Sequence, residues 1–244
     1  MVETSAAHRW VVAIDGPAAA GKSTVAQLLA DRLGALLFDT GSLYRALALA
    51  VLRAEIDPAD ECRLAELAAE LDIAVVPPTV RDGRLATVHL DGEDVTWEIR
   101  APAVDAVVSP VSAHPAVRAA LLPHQRRIAS GLPVVIVGRD IGSVVVPDAG
   151  VKIFLEASPE ERARRRFAEL RERGVEVDFD AVLADLRRRD AIDTGRAASP
   201  LRAAADALVL NTDRLTVPEV VDRIEERARA IWTPTEAVVR GETQ

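Results

Sequence analysis

Gly16-Pro17-Ala18-Ala19-Ala20-Gly21-Lys22-Ser23 constrains this chain more than any other stretch, because G-x-x-x-x-G-K-[ST] functions only as a loop between a strand and a helix. Its flanks agree. Trp10-Val11-Val12-Ala13-Ile14 reads as a buried strand entering the loop. Beyond it Val25, Leu28, Leu29 and Leu33 recur at helical spacing, and Gly34 marks a helix end. Such a loop lets backbone N–H groups converge on phosphate oxygens, and the helix N-terminus adds positive potential. The expected set for binding a nucleoside triphosphate is Gly16, Pro17, Ala18, Ala19, Ala20, Gly21, Lys22, Ser23 and Thr24. Lys22 is placed for the outer phosphates, and the Ser23 hydroxyl for Mg²⁺ held with the nucleotide. The chain has only two lysines, Lys22 and Lys152, so one of them standing at this position is a second, independent hint.

Composition excludes several classes. With 49% apolar and 28% charged residues over 244 positions, the chain can bury one large core. No apolar run reaches the roughly 20 residues of a membrane span, and Met1–Arg9 lacks the apolar segment of a secretory signal. Cys62 is the single cysteine, so an internal disulfide or a cysteine-built zinc site is excluded. His8, His89, His114 and His124 lack paired ligand spacing. A net charge of −8 argues against general nucleic-acid binding. The expectation is a cytoplasmic protein, monomeric, with no membrane or nucleic-acid partner.

Five short apolar runs read as parallel strands covered on both faces: Val11–Ile14, Ala35–Phe38, Val134–Val137, Val151–Leu155 and Ala207–Leu210. Helical patterns lie between them, through Leu43, Leu47, Ala50 and Val51, from about Asp60 to Leu71, and from Pro115 towards Ser130. Ser158-Pro159-Glu160-Glu161 predicts another helix, opened by a capping box with Pro at its first position. Alternation of this kind predicts a doubly wound α/β sheet. Ile73–Val76, Ala86–Leu90 and Asp94–Trp97, separated by Asp-Gly turns, instead predict a small antiparallel sheet inserted after the second core strand.

A phosphate-binding loop does not name the acceptor, so the remaining polar residues must. Asp39-Thr40-Gly41-Ser42-Leu43-Tyr44-Arg45 and Gly138-Arg139-Asp140 both follow predicted strands, at the edge where ligands bind in open α/β sheets. Arg45 and Arg139 could clamp a second phosphate there, and Asp140 suits a ribose hydroxyl. From Ser158 to Arg202 eleven arginines interleave with ten carboxylates, a balance that predicts mostly ion-paired helix faces rather than a nucleic-acid patch. Arg189-Asp190-Ala191-Ile192-Asp193-Thr194-Gly195-Arg196 is expected to leave its helix as a hinged, arginine-bearing lid. No nucleophile–histidine pair and no carboxylate metal cluster is evident. Transfer to an already anionic phosphate oxygen requires neither.

Taken together, IDGPAAAGKST, FDTGSLYR, DGEDVTWEIR, Ser109 to Arg118, GRDIGSVVVPDA, VKIFLEAS-PEERARRR and RRRDAIDTGRAASPL resemble bacterial cytidylate kinases, from about Val11 to Ile231. The resemblance implies a P-loop kinase with a five-stranded parallel sheet flanked by helices. It also implies an antiparallel-sheet insert for the acceptor nucleotide, at about residues 72–108, and a helical lid at about 158–202. All lie in one domain over 10–232, between a flexible N-terminus, 1–9, and a flexible tail, 233–244. The implied reaction takes ATP and CMP or dCMP to ADP and CDP or dCDP, with Mg²⁺. Lys22, Arg45, Arg139 and Arg189 are the implied catalytic residues. The implied CMP site adds Thr40, Tyr44, Ser109, Arg118, Asp140, Asp193 and Arg196, with Ser109, Arg118 and Arg196 reading cytosine. From spacing alone, Ser109 and Arg118 read as helix-surface residues.

Departures from the family pattern are Ala18 and Ala19, where Gly or Ser is common, and Thr40 in place of Ser. Val137 stands where a carboxylate is often found, and Ile192 replaces a lid arginine. Two rival readings remain: another small-molecule P-loop kinase, against which the insert and Ser109/Arg118 argue, and a nucleotide-dependent regulatory module.

Overall fold

Alternation along three of the apolar runs decides how the sheet is covered. Val11 and Ala13, Leu36 and Phe38, and Val134 and Ile136 point into one core; Val12 and Ile14, Leu37, and Val135 and Val137 point into another. Both faces are therefore buried, and these runs carry no polar stripe. The computed structural model describes residues 8–130, 132–172, 174–195 and 200–232.

Five parallel strands result: β1 (Val11–Asp15), β2 (Leu36–Asp39), β6 (Val134–Gly138), β7 (Val151–Glu156) and β8 (Leu208–Asn211), in the order β2-β6-β1-β7-β8. A separate antiparallel sheet joins β3 (Ile73–Val76), β4 (Thr87–Leu90) and β5 (Glu93–Asp94) in that order. On one face of the large sheet lie α1 (Lys22–Leu33) and α8 (Val217–Ile231), through Val25, Leu29, Val221 and Ile224. The other face carries α2 (Gly41–Arg53) and α5 (Pro115–Ile128), through Leu43, Leu47, Val117 and Leu121. Beside them lie α3 (Glu61–Glu70), capped by Asp60, and α4 (Pro102–Ala113). Gly34 closes α1 at φ 61°, as the sequence predicts.

The helices α6 (Pro159–Glu172) and α7 (Phe179–Gly195) form a hairpin with a small core of its own. Ala163, Val182 and Leu186 are buried in it, and Phe167 meets Phe179 edge-to-face at 6.0 Å. Ala18 of the Gly-rich loop packs into this same cluster.

Several expectations need correction. The third strand of the insert is Glu93–Asp94, not Asp94–Trp97; the chain turns at once into a 3-10 turn over Glu98–Arg100, because Asp94 spends its carboxylate on Thr96 and Arg84. The capping box at Ser158 is only half made. Ser158 Oγ accepts from Glu161 N–H, but Glu161 turns to Arg164 and Arg165, and Asp213 takes the Ser158 amide instead. The stretch Arg189–Gly195 does not leave its helix but forms the last turns of α7, and Arg196 lies outside the described residues. His8 and Arg9, expected to be loose, are tied down. His8 Nδ1 pairs with Asp148 at 2.9 Å, and Arg9 Nη2 donates to Ile231 O at 3.1 Å. The tail beyond Trp232 lies outside the described residues.

Candidate active site

Strand β1 delivers the Gly-rich loop at the carboxyl edge of the sheet. Gly16 sits at φ 149°, where an added Cβ would stand 2.1 Å from Leu155 O, so no side chain fits. Ala19 holds a left-handed φ of 60°, and Gly21, at φ 87°, is the N-cap of α1 with no side chain capping it. The first amides of α1 thus face the loop without a side-chain cap, the arrangement that receives an anion. Lys22 folds back across the loop and donates from Nζ to Pro17 O at 2.6 Å. Its ammonium is held well below the usual lysine range, first by burial and then by Arg139; Asp39, Asp15 and Asp193 oppose this. Arg139, after β6, and Asp193, on α7, therefore act on Lys22 from one side of the Gly-rich loop.

That side is built from separate elements. The segment after β6 carries Arg139 and Asp140, and α5 carries Arg118. Arg118 Nη2 donates to Asp140 Oδ2 at 2.9 Å, with side-chain exposures of only 12% and 10%. Arg118 is therefore no surface residue; its guanidinium lies 5.5 Å from the centre of the Tyr44 ring, and its Nε is buried without a hydrogen-bond partner among the described residues. Arg139 Nε donates to the buried carboxylate of Asp193 on α7 at 3.0 Å. Arg189 lies one turn before Asp193 on the same helix, exposed.

Other expected residues stand differently. Arg45 donates to Ile99 O at 3.1 Å and pairs with Asp105 on α4 at 2.7 Å, towards the insert. Thr40 is buried, and its hydroxyl donates to Val137 O at 3.0 Å, which pins the end of β2 to β6. Ser109 is exposed on α4 and takes no part in the Arg118 or Arg139 pairs. Val137 is 3% exposed within the apolar core, and Ile192 is 50% exposed on α7.

Two residues emerge that the sequence pattern did not single out. Arg162 on α6 is 3% exposed, among arginines expected to line solvated faces. It donates to Ala18 O and Ala157 O and grips Asp190 with two bonds of 3.0 and 2.6 Å, so it ties the loop to α7. Its only sequence signal is that Ala163, one position on, belongs to the apolar face. Asp15, last residue of β1, is likewise buried; a carboxylate closing an otherwise apolar strand was the visible sign.

A family model described as cytidylate kinase matches residues 12–230. The cytidylate kinase of Pelotomaculum thermopropionicum is 53% identical over 219 residues, which cover 90% of this chain and 96% of that protein. That of Chloroflexus aggregans is 52% identical over 216 residues, covering 88% and 92%. In Vibrio cholerae the corresponding enzyme is 49% identical over 216 residues, covering 88% and 94%.

Proposed function

This chain belongs to the cytidylate kinase family, and from that premise we propose that it transfers the γ-phosphoryl group of ATP to CMP and dCMP. An oxygen of the acceptor's phosphate attacks the γ-phosphorus in line. The bond to the β,γ-bridging oxygen breaks, and ADP leaves with that electron pair. The acceptor oxygen is already anionic, so no general base is needed and positioning with charge stabilisation does the work.

The observation that carries the reading is the buried Arg118–Asp140 pair beside Tyr44, with Arg118 Nε unpartnered among the described residues. A buried donor without a partner costs about 1–3 kcal/mol, and a pyrimidine carbonyl or ring nitrogen would remove that cost. Asp140 would turn to the sugar. Arg139 would hold the acceptor phosphate, joined by Arg45 once it leaves Asp105. Lys22 would move from Pro17 O to the donor phosphates. Swinging of the α6–α7 hairpin as a lid would bring Arg189 to the transferring group and exclude water.

For Mg²⁺, the donor chemistry is informative. Among the described residues no three His, Cys, Asp or Glu are grouped to hold a metal, and Ser23 offers one exposed hydroxyl at the start of α1. That suits an ion that would arrive on the nucleotide's own phosphate oxygens. Ser23 would hold it, and the ion would supply charge neutralisation across the β- and γ-phosphates.

The test is ADP release from ATP and Mg²⁺ with CMP, dCMP, UMP, AMP or shikimate offered separately. Fast turnover with CMP and dCMP is expected. Turnover with AMP or shikimate but not CMP would sink the acceptor assignment and leave the donor loop standing.

A further inference from the structure

An Asp at a helix N-cap ordinarily turns its carboxylate onto the free amides of the first turn. Asp140 holds that place before the π-helical turn Ile141–Val145, yet its side chain makes no cap bond. The capping is done from 126 and 127 residues away. Asp15 Oδ1 accepts from Ile141 N–H and Oδ2 from Gly142 N–H, each at 2.8 Å. Asp140 is thereby released to meet Arg118.

We propose that Asp15 is a positioning residue: by capping the Ile141–Val145 turn it fixes Arg139 and Asp140 relative to the donor-phosphate loop, and acceptor recognition depends on it although it touches no substrate. This rests on the function proposed above. The geometry makes the link stiff at both ends. Asp15 is 4% exposed and is followed by Gly16, which is wedged against Leu155 O. At the other end Gly138 has room for no side chain, since an added Cβ would lie 2.5 Å from Ile141 Cδ1 and 2.9 Å from Thr40 Oγ1. Only a carboxylate presents two equivalent acceptors to two amides; an Asn would set its own N–H₂ against one of them. The cap is kept despite its cost. Burial raises the Asp15 pKa to about 6, Asp140 adds to the rise, and Lys22 on α1 and the two amides oppose it.

Asp15→Asn is the test, with KM for CMP and for ATP measured separately and the melting temperature alongside. Loss of one charge-assisted bond predicts an increase of about tenfold in KM for CMP. KM for ATP should stay within about twofold, because the donor loop keeps its own restraints from Leu155 and Arg162. A parallel rise in both constants, or no change in either, would overturn the proposal. A wild-type chain that turns over AMP but not CMP would instead overturn the functional reading. Should the variant not fold, the nucleotide-free wild type carries the test by NMR, from about pH 7.5 to about pH 5. The Ile141 and Gly142 amides moving together with the Arg118 guanidinium and the Asp140 carboxyl supports the link; the two amides moving alone contradicts it.

Discussion

On the Gly16–Ser23 side of the cleft, shape is set by backbone: positive-φ positions at Gly16, Ala19 and Gly21, a strand end beneath, and an uncapped helix start. On the Arg118–Asp140 side it is set by side chains from α2, α5, α7 and the turn after β6, already paired with one another. A backbone site is ready for its anion and gives little choice of ligand. A side-chain site exchanges internal partners for ligand atoms, so a poorly matched ligand leaves buried charges unpaired. The difference teaches where selectivity can reside. On the proposed function, donor binding is generic and discrimination falls to the paired groups.

Cutting the tie between the two sides should have the largest effect. Arg162→Met leaves Asp190 half-buried and unpaired and frees Ala18 O, so we expect a loss of about 3–5 kcal/mol in calorimetric or denaturant unfolding. An effect below about 1 kcal/mol would mean the hairpin is not braced through this residue.

Lys22→Met should separate stability from activity. The turnover number falls by about 10²–10³-fold, as for removal of one preorganised charge at a developing anion. The melting temperature rises at neutral pH, because burial disfavours the charged amine that the unfolded chain carries, and that cost has been removed. Lower stability together with lower activity would show that the lysine also holds the loop in shape.

Asp15 offers a finer probe through pH. Its folded pKa is raised from 3.8 to about 6, so the folded chain binds the proton more tightly than the unfolded one. The stability it contributes is complete below about pH 4 and is lost as pH rises towards 6, by up to about 3 kcal/mol. Relative to Asp15→Asn, the wild type should therefore weaken across that window and run parallel above it. A difference that stays flat across the window would place the ionisation elsewhere. Smallest of all, Ala19→Gly relieves a left-handed alanine but loosens the unfolded chain, and should shift unfolding by less than about 1 kcal/mol. A larger shift would mean that the Ala19 methyl braces the loop, as Ala18 does.

The sequence is informative wherever a feature is contiguous. The loop, its strand and its helix follow from one motif, and β1, β2 and β6 read out because burial on both faces leaves nearly unbroken apolar runs. The expected double cover fails at β7 and β8, whose apolar runs still mark them as strands: Lys152 and Phe154 are half-buried, and Val209 on the edge strand is 47% exposed. Helix α4 stayed hidden because Pro110 interrupts its pattern, although Val104, Val107 and Val111 are correctly spaced. For α8 the signal was there to be read: Thr216 and Glu219 form a full capping box before Val220, Val221 and Ile224. The Arg118–Asp140 side is a tertiary construction. That Arg118 reaches Asp140, or that Asp15 caps a turn far along the chain, depends on which strand lies beside β1, and no local pattern encodes that neighbour. Arg162 hid among ten other arginines, distinguished only by the face of the helix it occupies.

The measurement that bears most directly on this division of labour is kcat/KM for CMP, dCMP and UMP in the wild type and in Arg118→Met, with KM for ATP recorded in both. The account predicts that CMP and dCMP fall by about 10²-fold while ATP is unaffected, because only the side-chain-built half has lost a partner. An Arg118→Met enzyme that keeps its preference for CMP over UMP would contradict it.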